Sequence, residues 1–151
     1  MIDSEAEVLQ VTPGRRNALT LTVQNTRDVV DGVRTRISGI DDSLVTIPVP
    51  VVSVYPGMTE SIRVYLDLPR TFPEGEHEIE VHLTSTIDGT TALARRLTLV
   101  VAPIDDLQMS LSPRAARAGA STELAVDLRN RGNAEASIHV SAVDSERALR
   151  I

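Results

Sequence analysis

Apolar residues recur at every second position in short segments along the chain, and this two-residue period is the feature that most restricts the fold. Leu19, Leu21 and Val23, for example, are separated by single threonines. Successive side chains of a β-strand point to opposite faces, so the pattern predicts strands with one buried and one solvated face. Turn residues such as Pro13-Gly14 and Pro56-Gly57 separate the segments. The strands predicted before Pro103 lie at 8–12, 19–24, 33–37, 44–47, 51–55, 62–67, 79–84 and 97–101.

The same residues predict an all-β fold. No stretch of a dozen residues has a helical period, and residues 114–118, stopped by Gly119, favour a loop or a single turn. Asp88-Gly89 is a two-residue hairpin signal. Seven or eight strands in about 100 residues are typical of an immunoglobulin-like (Ig-like) β-sandwich. Because aromatic residues make up only 2% of the chain, we expect a core of Val, Leu and Ile.

An internal repeat predicts the domain organisation. The boundary falls near Ala102-Pro103-Ile104-Asp105, which predicts a complete Ig-like sandwich at residues 1–102 and the N-terminal half of a second Ig-like repeat at 103–151. The second copy has a longer first loop, at residues 114–121. The matched stretches are Leu9-Gln10-Val11-Thr12-Pro13 with Met109-Ser110-Leu111-Ser112-Pro113, Leu21-Thr22-Val23-Gln24-Asn25 with Val126-Asp127-Leu128-Arg129-Asn130, Val33 and Ile37 with Ile138 and Ala142, and Ile47 with Ile151.

The second copy ends after about four predicted strands, because it has no counterpart of the segments from Val51 onward. Half a sandwich exposes an apolar sheet face and open strand edges. We therefore expect either that the chain is a fragment of a longer protein or that a partner completes the fold. A partner strand could do so by adding to a sheet edge.

The histidines do not form a reactive constellation, and cysteine is absent. His77 and His82 are five residues apart on one predicted strand, so they point to opposite faces and share neither a metal nor a nucleophile. His139 is predicted on the polar face of a strand in the second copy. We therefore predict no catalytic, cofactor-binding or metal-binding residues and no enzyme activity within the 151 residues.

Acidic residues form two patterns. Asp28, Asp31 and Asp41 could converge on a calcium ion at one end of the sandwich, but aspartates that cap solvated turns are the favoured interpretation. A row of glutamates at alternate positions indicates a solvated strand face or an edge strand that charge protects against strand addition. Attraction of a basic partner remains an alternative. The row consists of Glu74, Glu76, Glu78 and Glu80.

Charge and composition exclude several partners. The net charge of -6 argues against nucleic acid, which requires a basic surface. The acidic N-terminus is not a signal peptide, which favours a cytoplasmic or cytoplasmic-facing location, and no apolar run is long enough for direct membrane insertion. Carbohydrate is disfavoured because Trp is absent and Tyr65 alone is predicted to lie on an outer face. All 15 basic residues are arginine, which indicates a GC-rich, actinobacterial source.

The turn and strand motifs resemble the Ig-like modules of bacterial envelope and alpha-galactosidase-associated proteins, especially tandem modules of actinobacterial proteins. Asn130-Arg131-Gly132-Asn133 is similar to a loop of such modules, whereas Asn25-Thr26-Arg27-Asp28 lacks its glycine. His77 stands where related sandwiches commonly carry a tyrosine. The other stretches that carry the resemblance are Val11-Thr12-Pro13-Gly14, Leu19 to Asn25, Val54-Tyr55-Pro56-Gly57-Met58-Thr59, Leu68-Pro69-Arg70, Pro73-Glu74-Gly75-Glu76-His77 and Ile79 to Thr86.

These features together predict a non-catalytic structural or interaction module, a spacer or docking domain of a larger bacterial envelope-associated protein. Its partner would be a protein, bound through strand edges or a sheet face. Two other settings remain open, an accessory component of a phage-tail-like particle or other large assembly, and a binding module appended to a hydrolase.

Overall fold

A computed structural model describes residues 8–114 and 123–141 of the chain. This part contains ten strands and a short 3-10 turn at Asp42–Leu44, with no α-helix among the described residues, and none of its helical turns could cross a membrane. The predicted all-β fold is confirmed. The strands are β1 Val8–Val11, β2 Arg16–Gln24, β3 Asp31–Ser38, β4 Val45–Thr46, β5 Val51–Val54, β6 Thr59–Asp67, β7 Gly75–Ser85, β8 Thr91–Val101, β9 Leu107–Ser112 and β10 Ala125–Asn130.

The first eight strands form an Ig-like sandwich of two sheets. One sheet has the order β1-β8-β7-β3-β5, and the other has the order β2-β6-β4. β1 runs parallel to β8, and all other neighbours in these sheets are antiparallel. Because β1 and β2 are edge strands of different sheets, the chain crosses between the sheets at the turn after β1.

The core of the sandwich is aliphatic, as the composition predicts. Alternate residues of β2, β6, β7 and β8 point inward, and Leu66 and Leu99 are completely inaccessible to solvent. This alternation follows from the two-residue period of a strand with one buried face. The buried hydrophobic side chains are Val11, Leu19, Leu21, Val23, Val33, Ile37, Val54, Ile62, Val64, Leu66, Leu68, Ile79, Val81, Leu83, Leu97, Leu99 and Val101.

Two local predictions differ from the structure because aspartate side chains reorganise the turns. The predicted strand at 44–47 shrinks to β4, since the Asp41 carboxylate accepts the Ser43 N–H (2.8 Å) and caps a 3-10 turn. The predicted two-residue hairpin at Asp88-Gly89 is a five-residue connection, residues 86–90. There the Asp88 carboxylate accepts the Thr90 N–H (3.0 Å) and hydroxyl (2.6 Å).

After the first sandwich, β9 and β10 pair in antiparallel register as a two-stranded hairpin. The predicted third strand around Ile138 is absent from the described residues 131–141, where Ile138 is 43% and Val140 is 51% exposed. Residues 115–122, which hold most of the predicted loop, and Ala142 to Ile151 lie outside the described residues. The division into domains at 1–102 and 103–151 stays a prediction.

Candidate interaction surface

The histidines make local structural contacts. The ring of His77 lies 4.9 Å from that of Phe72 and donates from Nε2 to the Pro73 carbonyl (3.0 Å), which fixes the corner before β7. On the opposite face, Nε2 of His82 lies 2.9 Å from the Ser38 hydroxyl. The predicted separation of these two rings is therefore confirmed. His139 is exposed and lies in a segment without strand structure, so its predicted strand position is wrong.

The three aspartates considered for a calcium site lie apart from one another. Asp31 begins β3, whereas Asp41 follows the opposite end of that strand, and Asp28 lies in the loop before it. No group of three His, Cys, Asp or Glu side chains suited to a metal occurs in the described part of the chain. These three aspartates therefore do not converge at one end of the sandwich.

The glutamate row lies largely on the outer face of β7. Glu78 and Glu80 share that face with His82, opposite the buried Ile79 and Val81. Glu80 faces Arg96 of β8, with Oε1 4.0 Å from Nε. The row thus lies on a solvated face of a central strand, between β8 and β3, and not on an edge strand of the sheet.

Arg27 joins two acidic residues at one end of the sandwich. Its guanidinium lies 2.8 Å from the Asp88 carboxylate and 4.0 Å from the Asp31 carboxylate. Asp31 is buried, and its carboxylate also accepts a hydrogen bond from the Ser85 hydroxyl (2.7 Å). Hydrogen bonds from Thr90, and then the Arg27 guanidinium, hold the pKa of Asp88 well below its usual range. These contacts tie the start of β3 to the β7–β8 connection and give the aspartates a structural role.

The two tyrosines differ in their exposure. The Arg16 guanidinium lies 5.3 Å from the centre of the Tyr65 ring and pairs with the Asp67 carboxylate (2.7 Å) on β6. Tyr65 is consequently half-buried, whereas Tyr55 is 62% exposed. The prediction that Tyr65 alone lies on an outer face is therefore wrong.

The β9–β10 hairpin has one apolar and one polar face. Alternate residues of β9 share the apolar face with Val126 and Leu128 of β10, because Leu111 is in register with Val126 and Met109 with Leu128. Solvent reaches 70% of Met109, the most exposed of these side chains. Gln108, Ser110, Asp127 and Arg129 lie on the other face. The apolar face is defined here as Leu107, Met109, Leu111, Val126 and Leu128.

The equivalent residues of the first repeat are in a different environment. Val11 and Leu21, which match Leu111 and Val126 in sequence, are each 2% exposed. They lie in opposite sheets, and both belong to the core between them. In the second repeat their counterparts lie side by side on one face of the hairpin and remain 44% and 42% exposed.

Two matched asparagines organise the loops after β2 and β10 in the same way. Asn25 accepts the N–H two residues later, from Arg27 (2.9 Å), and donates to the carbonyl four residues later, of Val29 (2.8 Å). Asn130 repeats both bonds, with Gly132 (2.9 Å) and Ala134 (2.7 Å). Asn25 also donates to the Val54 carbonyl of β5 (2.8 Å), and Asn130 has no such third partner among the described residues.

Asn133 forms a clasp between the loop after β10 and the end of the first sandwich. Its amide donates to the carbonyls of Phe72 (2.9 Å) and Ala102 (3.0 Å), and its Oδ1 accepts the Ile104 N–H (2.5 Å). Gly132 is needed here because a Cβ at this position would meet the Ile104 carbonyl oxygen. The loop motif is visible in the sequence, but contacts between residues so far apart along the chain leave no local signal.

No protein-family model matches the chain, and no curated protein sequence matches it. One similar solved structure is a family 123 glycoside hydrolase from Clostridium perfringens, with a TM-score of 0.51 and 9% identity over 63% of this chain and 23% of that one. The Pseudomonas aeruginosa CupB2 chaperone has a TM-score of 0.49 and 14% identity over 67% and 54%. SSP-19, an MSP-domain protein like family member in Caenorhabditis elegans, has a TM-score of 0.44 and 13% identity over 66% and 96%.

These comparisons concern the fold alone, because all three identities are low. The chain spans about half of the chaperone and about a quarter of the hydrolase. No sequence match supports the resemblance to alpha-galactosidase-associated modules or an actinobacterial source. The chain is an Ig-like β-sandwich, and its structural neighbours include MSP-domain and chaperone proteins.

Proposed function

We propose that the chain is a non-catalytic protein-interaction module that docks a protein partner on the apolar face of the β9–β10 hairpin. The observation that carries this proposal is the exposure of that face. Met109 is 70%, Leu107 48% and Leu111 44% exposed. All three occupy alternate positions of β9 and lie on the same face of the hairpin. A contiguous exposed apolar surface with a polar reverse side is the usual mark of a protein contact.

The energetics of a hairpin support a covered state. A two-stranded hairpin is marginally stable by itself in water, and a third strand or a packed layer is usually needed. The matched residues of the first repeat obtain that cover from the opposite sheet, as the burial of Val11 and Leu21 indicates. Covering the second hairpin would remove the same kind of aliphatic surface from water.

The Asn133 clasp supports a role for the first repeat as a rigid holder. Three side-chain hydrogen bonds join the loop after β10 to the first repeat and to the linker between the repeats. The pair of Arg70 and Asp106 (2.9 Å) adds a contact across the same junction. The clasp thereby directs the hairpin, which is the property expected of a spacer or docking domain.

The wider setting that we propose is a larger bacterial envelope-associated protein, in which this part faces the cytoplasm. The support for it is the resemblance of the turn motifs to envelope modules. A tail-like particle is a second setting, and attachment to a hydrolase is a third. The complete gene and its neighbours distinguish the three settings by an adjoining membrane span, tail genes or a catalytic domain.

The proposed docking face is tested by capture of partners on the immobilised full chain. Met109→Asp places a charge on the apolar face, and Ser110→Asp places the same charge on the reverse face of the same strand as the matched control. We expect a protein that binds the natural chain and the control but is lost with Met109→Asp, because burying an unpaired charge is costly. Capture that is equal for all three chains would refute the docking face.

A further inference from the structure

The direction of the backbone groups in the hairpin shows which strand edges are open. Arg131 donates from its N–H to the Asp106 carbonyl (2.7 Å), and Asn133 donates to that of Ile104 (3.2 Å). These bonds continue the register of β10 with β9. Since bonding alternates along an antiparallel pair, the backbone groups of the polar-face residues, such as Asp127 and Arg129, face the partner strand.

The apolar-face residues consequently direct their backbone groups away from the hairpin. The N–H and C=O groups of Met109 and Leu111 point to the outer edge of β9, and those of Val126 and Leu128 point to the outer edge of β10. No strand pairs with either outer edge in the described part of the chain.

In the first repeat the equivalent backbone groups are the ones that bind neighbouring strands. The carbonyl of Val11, the counterpart of Leu111, accepts the Ala102 N–H (3.1 Å) at the end of the parallel β1–β8 ladder. The backbone N–H of Asn25, the residue after β2, donates to the carbonyl of Met58 (3.0 Å), the residue before β6. The open edges of the hairpin are therefore the edges that carry β8 and β6 in the complete repeat.

The outer edge of β9 lacks the usual protection against strand addition. Natural edge strands are commonly short, or carry charges or prolines. In the first repeat β4 has two residues, and Pro48 and Pro50 stand just before β5. β9 has six residues with no charge and no proline, whereas β10 carries Asp127 and Arg129.

We propose that the partner is a separate protein that offers an extended segment with aliphatic residues at alternating positions, and that this segment adds to the outer edge of β9 in parallel orientation. The inference rests on the proposed function and names the partner of that same surface. In the first repeat Leu9 is in register with Leu99 and Val11 with Val101. The sequence match then places aliphatic residues of the partner beside Met109 and Leu111.

A synthetic peptide with the sequence of residues 94–101 serves as the probe, because it contains the β8 segment that the first repeat uses. The full chain is titrated with this peptide and with a control peptide in which the residues equivalent to Leu97, Leu99 and Val101 are serine. Amide hydrogen exchange is followed by NMR. We expect saturable binding of the first peptide only.

Amide exchange identifies the edge that is used. We expect the Met109 and Leu111 amides to become protected on binding, while the Ser110 amide, which already faces β10, does not change. Met109→Asp should weaken binding by about tenfold or more, and Ser110→Asp by less than about threefold. Met109 is exposed, so the substitution leaves the first repeat folded, and unchanged exchange in β7 verifies this.

The remaining outcomes overturn the inference in distinguishable ways. If a protein is captured in a Met109-dependent manner while the Met109 and Leu111 amides stay unprotected, the partner stacks on the apolar face without adding a strand, and only the inference fails. If protection rises with the concentration of the chain alone, the occupant is a second copy. If no binding, of peptide or protein, depends on Met109, both the inference and the proposed function fail.

Discussion

Asn133 is the residue whose removal should most clearly uncouple the β9–β10 hairpin from the first sandwich. In Asn133→Ala the loop after β10 loses three side-chain hydrogen bonds, to Phe72, Ala102 and Ile104. Each such bond contributes about 0.5–1.5 kcal/mol net, and the lower part of that range applies because the junction is only half-buried. The expected loss is about 2 kcal/mol of local stability, which corresponds to roughly a 30-fold change in an opening equilibrium.

Native-state amide exchange measures this loss at Arg131. Its N–H donates to the Asp106 carbonyl (2.7 Å), an acceptor that the substitution leaves in place. Exchange at this amide should therefore accelerate by roughly 30-fold when the junction opens more often. Amides at the other end of β7 from Gly75, such as that of Leu83, should exchange at their former rates.

Arg70→Gln is the matched control at the same junction. The Arg70–Asp106 pair is short (2.9 Å), but its side chains are 58% and 29% exposed, so its contribution is expected to be about 0.5 kcal/mol or less. Exchange at Arg131 should change by roughly twofold. Unchanged exchange in Asn133→Ala, or a larger effect of Arg70→Gln, would refute the assignment of the clasp to the asparagine.

Three further predictions concern the first repeat. Leu99→Ala, at a side chain with 0% exposure, should lower the free energy of unfolding by about 2–5 kcal/mol in denaturant titrations, and a loss below about 1 kcal/mol would contradict its place in the core. Gly39→Ala should lower the free energy of unfolding by about 3 kcal/mol or more, because φ of Gly39 is +88° and a Cβ would lie 2.7 Å from a β7 carbonyl oxygen. Gly57→Ala should lower it by about 1 kcal/mol, because φ is +72° but no atom lies near the added Cβ. Equal losses for the two variants would show that the close approach at Gly39 is relieved. Hydrogen bonds from Thr90 are the largest cause of the lowered pKa of Asp88, which stabilises the fold at pH values above the ordinary carboxyl pKa of 3.8. This contribution disappears as the pH falls through the lowered pKa, so Asp88→Asn should flatten the acid limb of a plot of stability against pH. An unchanged acid limb would contradict this prediction.

The strands were predictable because their signal is local. The alternation of Leu19, Leu21 and Val23 locates β2, and the same pattern locates the other long strands of the first repeat. The failures are also local in origin, but they depend on side-chain hydrogen bonds that compete with the strand pattern. Asp41 shortens β4 and Asp88 lengthens the β7–β8 connection in this way.

The interaction surface was predictable only in part. The repeat match between Val11 and Leu111 indicates that apolar side chains of the second copy need a cover. That β9 and β10 would pair with each other could not be read from the match, because the equivalent strands β1 and β2 lie in different sheets. The hydrogen bonds of Asn133 could not be predicted for a related reason, because its partners Phe72 and Ala102 are 61 and 31 residues away in the sequence.

The docking face is tested most directly by oxidation of the methionines. Met109 on the apolar face is 70% exposed, and Met58 in the first repeat is 57% exposed and serves as an internal control. Exposed methionines oxidise to the sulfoxide under mild peroxide, and the products are quantified by mass spectrometry. We predict that both oxidise at similar rates in the free chain and that the captured partner protects Met109 while Met58 remains reactive. Slow oxidation of Met109 in the free monomer, or no protection by the partner, would contradict the proposed docking face.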